Sequence, residues 1–351
     1  MMNNLNIYSE QSVNKFAQYR EGETKVWQAL SYIDARLSLK NALYDAASYG
    51  IKYVLLGIPE DIGPRANLGN GGAELGWHAF LKKFLNLQAN QFIAHEKLLL
   101  LGEIECSDLI SQANELDLSE QTSVAQIRNL CHQVDERATP VLQAIFDAGL
   151  EPIIIGGGHN NCYPIIEALH QSTQSQCCAI NLDPHADFRA LEGRHSGNGF
   201  SYAYDAHYLA DYHVIGMHEL KNNQAIIDAM HNAGFTYDSY QSLYVRQEKT
   251  LNQSIATALT RMKDKQLPMG IEVDVDSISY MPVSAFTNCG VTVADAERFI
   301  YQLALSPYTR YLHLCEAAPI NHANGLNQGS DEAGQVLAAL VNSYLMGREN
   351  S

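Results

Sequence analysis

Asp183, His185 and Asp187 occupy alternate positions in the stretch Asn181-Leu182-Asp183-Pro184-His185-Ala186-Asp187. Two carboxylates and an imidazole, with no thiolate, form a donor set better suited to Mn2+ than to structural zinc. The apolar run from Cys177 to Ile180 predicts a buried strand leading into the motif. Side chains of an extended chain alternate between faces. If the strand continues through the motif, all three groups point the same way. Taken alone, the pattern also fits a polar strand end facing solvent.

Three further groups decide between these readings. His159 follows three glycines, Gly156 to Gly158, which let the backbone turn tightly after the apolar Ile153 to Ile155. Asp274 and Asp276 alternate in Glu272-Val273-Asp274-Val275-Asp276, and Glu316 follows the apolar stretch Tyr311 to Cys315. His159, Asp183, His185, Asp187, Asp274 and Asp276 make six donors, more than one ion needs. Two ions sharing carboxylates use such a set, and a pair about 3.5–4 Å apart converts water into a nucleophile at neutral pH.

The elements that must position these groups alternate along the chain. Strands are predicted over 53–59, 97–102, 152–155, 177–183, 212–216, 242–245, 269–275 and 311–315. Helices are predicted over 26–49, 74–88, 121–149 with a break at Pro140, up to about 170, then 200–210, 222–233, 251–264, 292–305 and 331–347. Residues 60–73 form a polar, glycine-rich loop, and residues 1–25 read as a loosely packed lead-in. Repeated strand–helix alternation predicts an α/β fold, a parallel sheet with helices on both faces. With no linker or repeat, residues 1–351 are expected to form a single domain. Ligands of such sheets bind at the carboxyl ends of strands, where every donor named above falls.

Composition narrows the function. The chain carries 39 acidic and 23 basic residues, a net charge of −16, which disfavours nucleic acid and anionic membrane as partners. An anionic substrate would need a local basic pocket. Seven cysteines without a C-x-x-C pair, and no apolar leader or membrane-length apolar run, point to reduced thiols and a cytoplasmic location. Cys315 reads as a small buried hydrophobe; His213, His218 and His313 read as structural.

GGGHN (156–160), DPHAD (183–187), EVDVD (272–276) and CEAAP (315–319) resemble the arginase–agmatinase–formimidoylglutamase family, the ureohydrolases, over about residues 53–320. The resemblance implies a three-layer arginase-like α/β fold and a binuclear manganese site, two Mn2+ per chain. It implies that His159, Asp183, His185, Asp187, Asp274 and Asp276 are the ligands and that Glu316 grips the substrate's cationic amidine-type group. Homo-oligomers are common in the family.

Within it, the chain is most similar to formimidoylglutamases. Gly158 stands where arginases carry aspartate, Phe200 where they carry a histidine thought to shuttle protons, and Ser284-Ala285 follows the second aspartate pair as in that subfamily. Pro184 and Asn160 depart from the subfamily's usual residues. The implied reaction converts N-formimidoyl-L-glutamate and water into L-glutamate and formamide, with Asp187 passing the proton onward. Such a substrate ends in two carboxylates. Arg65, Arg189, Arg194 and His195, with Asn198 in the same loop as the last two, are the candidate substrate-binding residues, and arginine suits forked carboxylate contacts. The alternatives are hydrolysis of a guanidino compound with release of urea, and a non-catalytic metal-binding regulator. The complete ligand set argues against the latter. Deacetylases sharing this fold are a weaker alternative, since they bind one zinc and need fewer carboxylates.

Overall fold

The computed structural model describes residues 4–34 and 36–351. Nine strands form one sheet: β1 (Leu5–Ile7), β2 (Tyr53–Gly57), β3 (Leu98–Ile104), β4 (Glu151–Ile155), β5 (Cys177–Leu182), β6 (Leu209–Met217), β7 (Thr236–Ser239), β8 (Met269–Asp274) and β9 (Thr309–Cys315). Their order is β1-β3-β2-β4-β9-β8-β5-β6-β7. Every pairing is parallel except β1 with β3.

Side-chain alternation divides the core between the two faces. Leu55, Leu100, Ile153, Ile155, Ile180 and Ile271 pack against the helices Gly76–Phe84, Leu251–Lys265, Val293–Ala304 and Leu326–Glu349. Val54, Leu56, Leu99, Leu101, Ile154 and Ala179 pack against Leu39–Ser48, Gln121–Asp147 and Cys162–Thr173 on the other face. The expected parallel sheet between two helical layers is therefore present. Gly57 lets one layer close on it, because a Cβ there would lie 2.5 Å from the Trp77 ring. No helix among the described residues is long and apolar enough to cross a membrane.

Four expectations differ from the structure. The N-terminal segment is not loose: β1 extends the sheet, and Tyr8 and Val13 are buried in its core. Residues 1–3 lie outside the described set. The helix expected over 26–49 is two pieces, Val26–Ala29 and Leu39–Ser48. Between them Ser31 pairs with β3, and Ser38 restarts the helix by accepting from the Asn41 N–H. Pro140 lies inside one continuous helix, Gln121–Asp147. The strand expected at 242–245 is a wide helical turn, and β7 comes earlier.

The 60–73 loop contains a helical turn, Ile62–Ala66, anchored by the buried Glu60, which accepts from the N–H groups of Gly63 and Gly158. Just beyond it, half-buried Glu74 has a carboxylate oxygen with no hydrogen-bond partner. Burial, then the charge of Asp61, raises its carboxyl from 4.5 to about 7. A carboxyl that binds its proton more tightly when folded loses its stabilising contribution as pH rises from 4.5 to about 7. Glu74→Gln is therefore expected to raise Tm relative to the parent at pH 8 and to change it less at pH 5. Thermal melts at the two pH values check this, and an equal shift at both would contradict it.

Candidate active site

The central run β4-β9-β8-β5 carries every expected metal or catalytic group at its carboxyl ends. His159 follows β4, Glu316 follows β9, Asp274 ends β8, and Asp183 follows β5. The glycines ahead of His159 do two different jobs. Gly156 and Gly157 have φ of 96° and 72°, conformations glycine adopts readily. Gly158 leaves room for Pro64, whose Cδ would lie 2.3 Å from an added Cβ.

The convergence of Asp183, His185 and Asp187 does not come from strand alternation. β5 ends at Leu182, and Asp187 sits at φ 45°. Asp183 Oδ1 accepts from the His185 N–H at 2.6 Å, which folds the chain into a tight turn. Asn222, beyond β6, fixes the turn from outside: its Oδ1 accepts from the Ala186 N–H and its Nδ2 donates to the Pro184 carbonyl. The second aspartate pair uses the same device. Asp274 Oδ1 accepts from the Asp276 N–H at 2.8 Å, within a 3-10 turn.

The donors form two overlapping groups: His159, Asp183, Asp187 and Asp274, and Asp183, His185 and Asp276. His159 Nδ1 lies 3.1 Å from Asp183 Oδ2, 2.9 Å from Asp187 Oδ2 and 3.7 Å from Asp274 Oδ2. His185 Nδ1 lies 3.2 Å from Asp276 Oδ2 and 3.5 Å from Asp183 Oδ1. The two oxygens of Asp183 thus face different groups, as a carboxylate shared by two cations requires. The His159 ring is fully buried, whereas the His185 side chain is 29% exposed and lines the pocket, so the His159 group is the deeper one.

Electrostatics also favours cations here. Both ring nitrogens of His159 and Asp276 Oδ1 are buried and make no hydrogen bond. Burial, then the charges of Asp276 and Asp183, raises Asp274 well above the usual carboxylate range. Burial and Asp183 raise Asp187. Burial opposes ionisation of Asp183, but contacts with His159 and His185 hold it well below the usual range. Buried acids that repel one another around an unpartnered imidazole nitrogen are a fit for divalent metal, and the oxygen and nitrogen donors suit Mn2+.

Glu316 adopts φ 65°, an uncommon conformation for a residue other than glycine, and its Oε1 accepts from the His159 N–H at 2.9 Å. Burial pushes its carboxyl up to about 8, against that hydrogen bond and with a further push from Asp276 and Asp187. It lines a pocket of about 180 Å³ together with His185, Asp187, Asp274 and Asp276. The rest of the wall includes Asn67, Ser196, Ser284 and two cations, Arg189 and Lys221.

Of the five expected substrate-binding residues, only Arg189 lines this pocket. Arg65 turns away to Asn114 and the Ala113 carbonyl. Arg194 is buried, with its guanidinium on Asp135, the Asn160 carbonyl and Asn198 Oδ1. Asn198 also donates to the Ala190 and Gly193 carbonyls. His195 is enclosed between the Gly197 N–H and Glu192. Burial, then Arg128, pushes His195 down to about 4, so it is a neutral ring. These three residues brace the loop that carries Arg189 and Ser196; none of them reaches the pocket. Phe200 is buried edge-on to His159, with ring centroids 5.2 Å apart, and offers no proton relay.

Lys221 had no motif to mark it. Its position after β6, next to β5 in the sheet, is the signal that could have found it, because ligands collect at carboxyl ends. Glu272, buried behind His159, was also not singled out.

A parallel sheet between helical layers, with paired aspartates and two histidines at adjacent strand ends, describes a class of metal-dependent hydrolase. The chain belongs to the arginase family, whose sequence profile matches residues 51–346. It is 28% identical over 199 residues to formimidoylglutamase from Streptococcus pyogenes, covering 53% of this chain and 60% of that relative's length. Among solved structures, formimidoylglutamase from Bacillus subtilis superposes with a TM-score of 0.73 at 17% identity, covering 95% of each chain. Formiminoglutamase from Trypanosoma cruzi with Mn2+2 gives a TM-score of 0.70 at 17% identity, covering 93% of this chain and 98% of that one. At these identities, the structural likeness is one of fold.

Proposed function

We propose that this protein is a binuclear manganese hydrolase that converts N-formimidoyl-L-glutamate and water into L-glutamate and formamide. One feature carries the reading: the pocket wall combines a buried acid, Glu316, with two solvent-exposed cations, Arg189 and Lys221. Glu316 lies beside the donor cluster, while Arg189 and Lys221 stand on the wall. A formimidoyl group is cationic and the glutamate end is anionic, so the pocket's polarity matches this substrate. The names and manganese of the relatives support the same choice.

His159, Asp183, Asp187 and Asp274 would hold one ion, and Asp183, His185 and Asp276 the other. The ions supply Lewis acidity that makes water nucleophilic at neutral pH. Glu316 fixes the amidinium with its carbon toward that water. Oxygen adds to the formimidoyl carbon, Asp187 takes up the proton released by the attacking water, and the carbon–nitrogen bond to glutamate breaks as that proton is passed on to the departing amine. Free, mostly buried thiols support a cytoplasmic setting.

The test is a panel of formimidoylglutamate, arginine and agmatine with Mn2+, scoring formamide and urea separately. Urea from a guanidino compound, with no formamide, would replace the substrate and leave the metal chemistry standing. Neither product would favour a regulator. Arg189 supplies a finer check. Its side chain is 47% exposed, with Glu192 3.5 Å away, so solvent weakens its pull on a carboxylate. Arg189→Ala is expected to raise KM for formimidoylglutamate about tenfold, about 1.4 kcal/mol. Arg189→Lys should recover part of that, because a point charge cannot fork to two oxygens. An unchanged KM in the alanine variant would remove Arg189 from the substrate's path.

A further inference from the structure

Glu272 is fully buried in β8, a central strand flanked by β5 and β9. A carboxylate in such a place needs partners that satisfy it. It has two on β9: the Tyr311 hydroxyl donates to Oε1 at 2.7 Å, and His313 Nδ1 meets Oε2 at 2.6 Å. The backbone is shaped for this arrangement. Glu272 and His313 are register partners in the sheet. The Tyr311 ring lies over Gly270, where an added Cβ would stand 2.0 Å from its Cζ. Gly270, Glu272 and Asp274 therefore share one face of β8. That face supplies a metal donor at its end and a buried acid one step behind.

The third neighbour of the acid is His159. Its Nε2 lies 3.4 Å from Glu272 Oε2, at ion-pair distance but with no hydrogen bond formed in the metal-free protein, while its Nδ1 faces Asp183 and Asp187. The Phe200 edge encloses the same ring. His185 is built differently. Among the described residues, the only carboxylates at ion-pair distance from it are those of its own donor group, Asp183 and Asp276, and it is partly exposed.

We propose that Glu272 is the positioning residue of the deeper metal site: held by Tyr311 and His313, it draws the Nε2–H of His159 and so presents Nδ1 to the ion. The proposal rests on the two-metal reading above. A carboxylate behind a metal-binding histidine fixes the tautomer and orientation of the ring, and losing it typically weakens metal about 10- to 100-fold. Among the described residues, only the His159 ring has a carboxylate behind it outside its own donor group. The expected signature is therefore a selective loss.

The experiment titrates Mn2+ into metal-stripped parent, Glu272→Gln and Tyr311→Phe proteins. It follows free Mn2+ and the coupled two-ion signal by electron paramagnetic resonance, with circular dichroism to check folding. Glu272→Gln should bind one ion about 10- to 100-fold more weakly and the other as the parent does. Its coupled signal should fall well below the parent's at Mn2+ levels that just saturate the parent. Tyr311→Phe keeps the charge but frees one oxygen, and should weaken the same site by a few fold. It carries the comparison if Glu272→Gln does not fold. Parent-like affinities at both sites, or equal weakening of both, would overturn the positioning role and leave the two-metal reading intact. A parent that binds fewer than two ions would overturn both.

Discussion

Replacing Asp183 with alanine is expected to strip both ions from the protein and to lower turnover at least about 10³-fold, equivalent to about 4 kcal/mol of barrier. The expectation follows from where its oxygens lie. Oδ2 faces the His159 group and Oδ1 faces His185, so no other side chain is common to both donor groups. The alanine variant would also leave the His185 N–H without its acceptor and loosen the turn. Asp183→Asn separates the two effects: its amide oxygen can hold the turn while the charge is gone. Asp276 belongs to the outer group alone, so Asp276→Ala should lose one ion and keep the other. Elemental analysis of the purified variants reads these outcomes directly. An Asp183→Ala protein that keeps two tightly held ions would rule out the shared-carboxylate arrangement.

The donors were legible in the sequence because each stands at or just beyond the end of an apolar strand, and this fold gathers strand ends. What the sequence concealed was how they converge. Strand alternation groups Asp183, His185 and Asp187 on paper, but the strand has ended by Leu182. The real cause is an aspartate accepting the amide two residues on, used once at Asp183 and again at Asp274. Alternation and this turn both bring i and i+2 together, so the right residues followed from the wrong geometry.

The arginines show a harder limit. Arg194 lies seven residues past a metal donor, yet its partner Asp135 sits 59 positions upstream on a helix that only the folded chain brings near. An arginine beside a site motif reads the same in sequence whether it binds substrate or braces a loop. Lys221 is the converse case. It lies far from every motif, and Asn222 next to it ties its loop to the Pro184–Ala186 turn. β1 was missed for a related reason: three residues have no periodicity to read, and their pairing partner is the far edge of β3.

Glu316→Gln is expected to keep both ions and to reduce turnover about 10³-fold, with the loss in kcat rather than in metal content. Glutamine preserves the side chain's shape and an acceptor for the His159 N–H, so the site should stay assembled. What it removes is the anion that offsets the repulsion between a cationic amidine and two divalent ions. A unit charge pair about 4 Å apart at an effective dielectric of about 20 is worth about 4 kcal/mol, which corresponds to about 10³ in rate. In the metal-free protein, burial holds the Glu316 carboxyl near 8. Cations in the adjacent groups favour its ionised form, so the loaded enzyme has the anion that the substrate requires. Glu316→Asp tests reach separately from charge: it restores the anion but draws it back by one methylene, and should recover only a fraction of the lost rate. Steady-state kinetics on formimidoylglutamate, with manganese measured in the same samples, checks the set. If Glu316→Gln works within a few fold of the parent while holding two ions, the amidinium is held by another group.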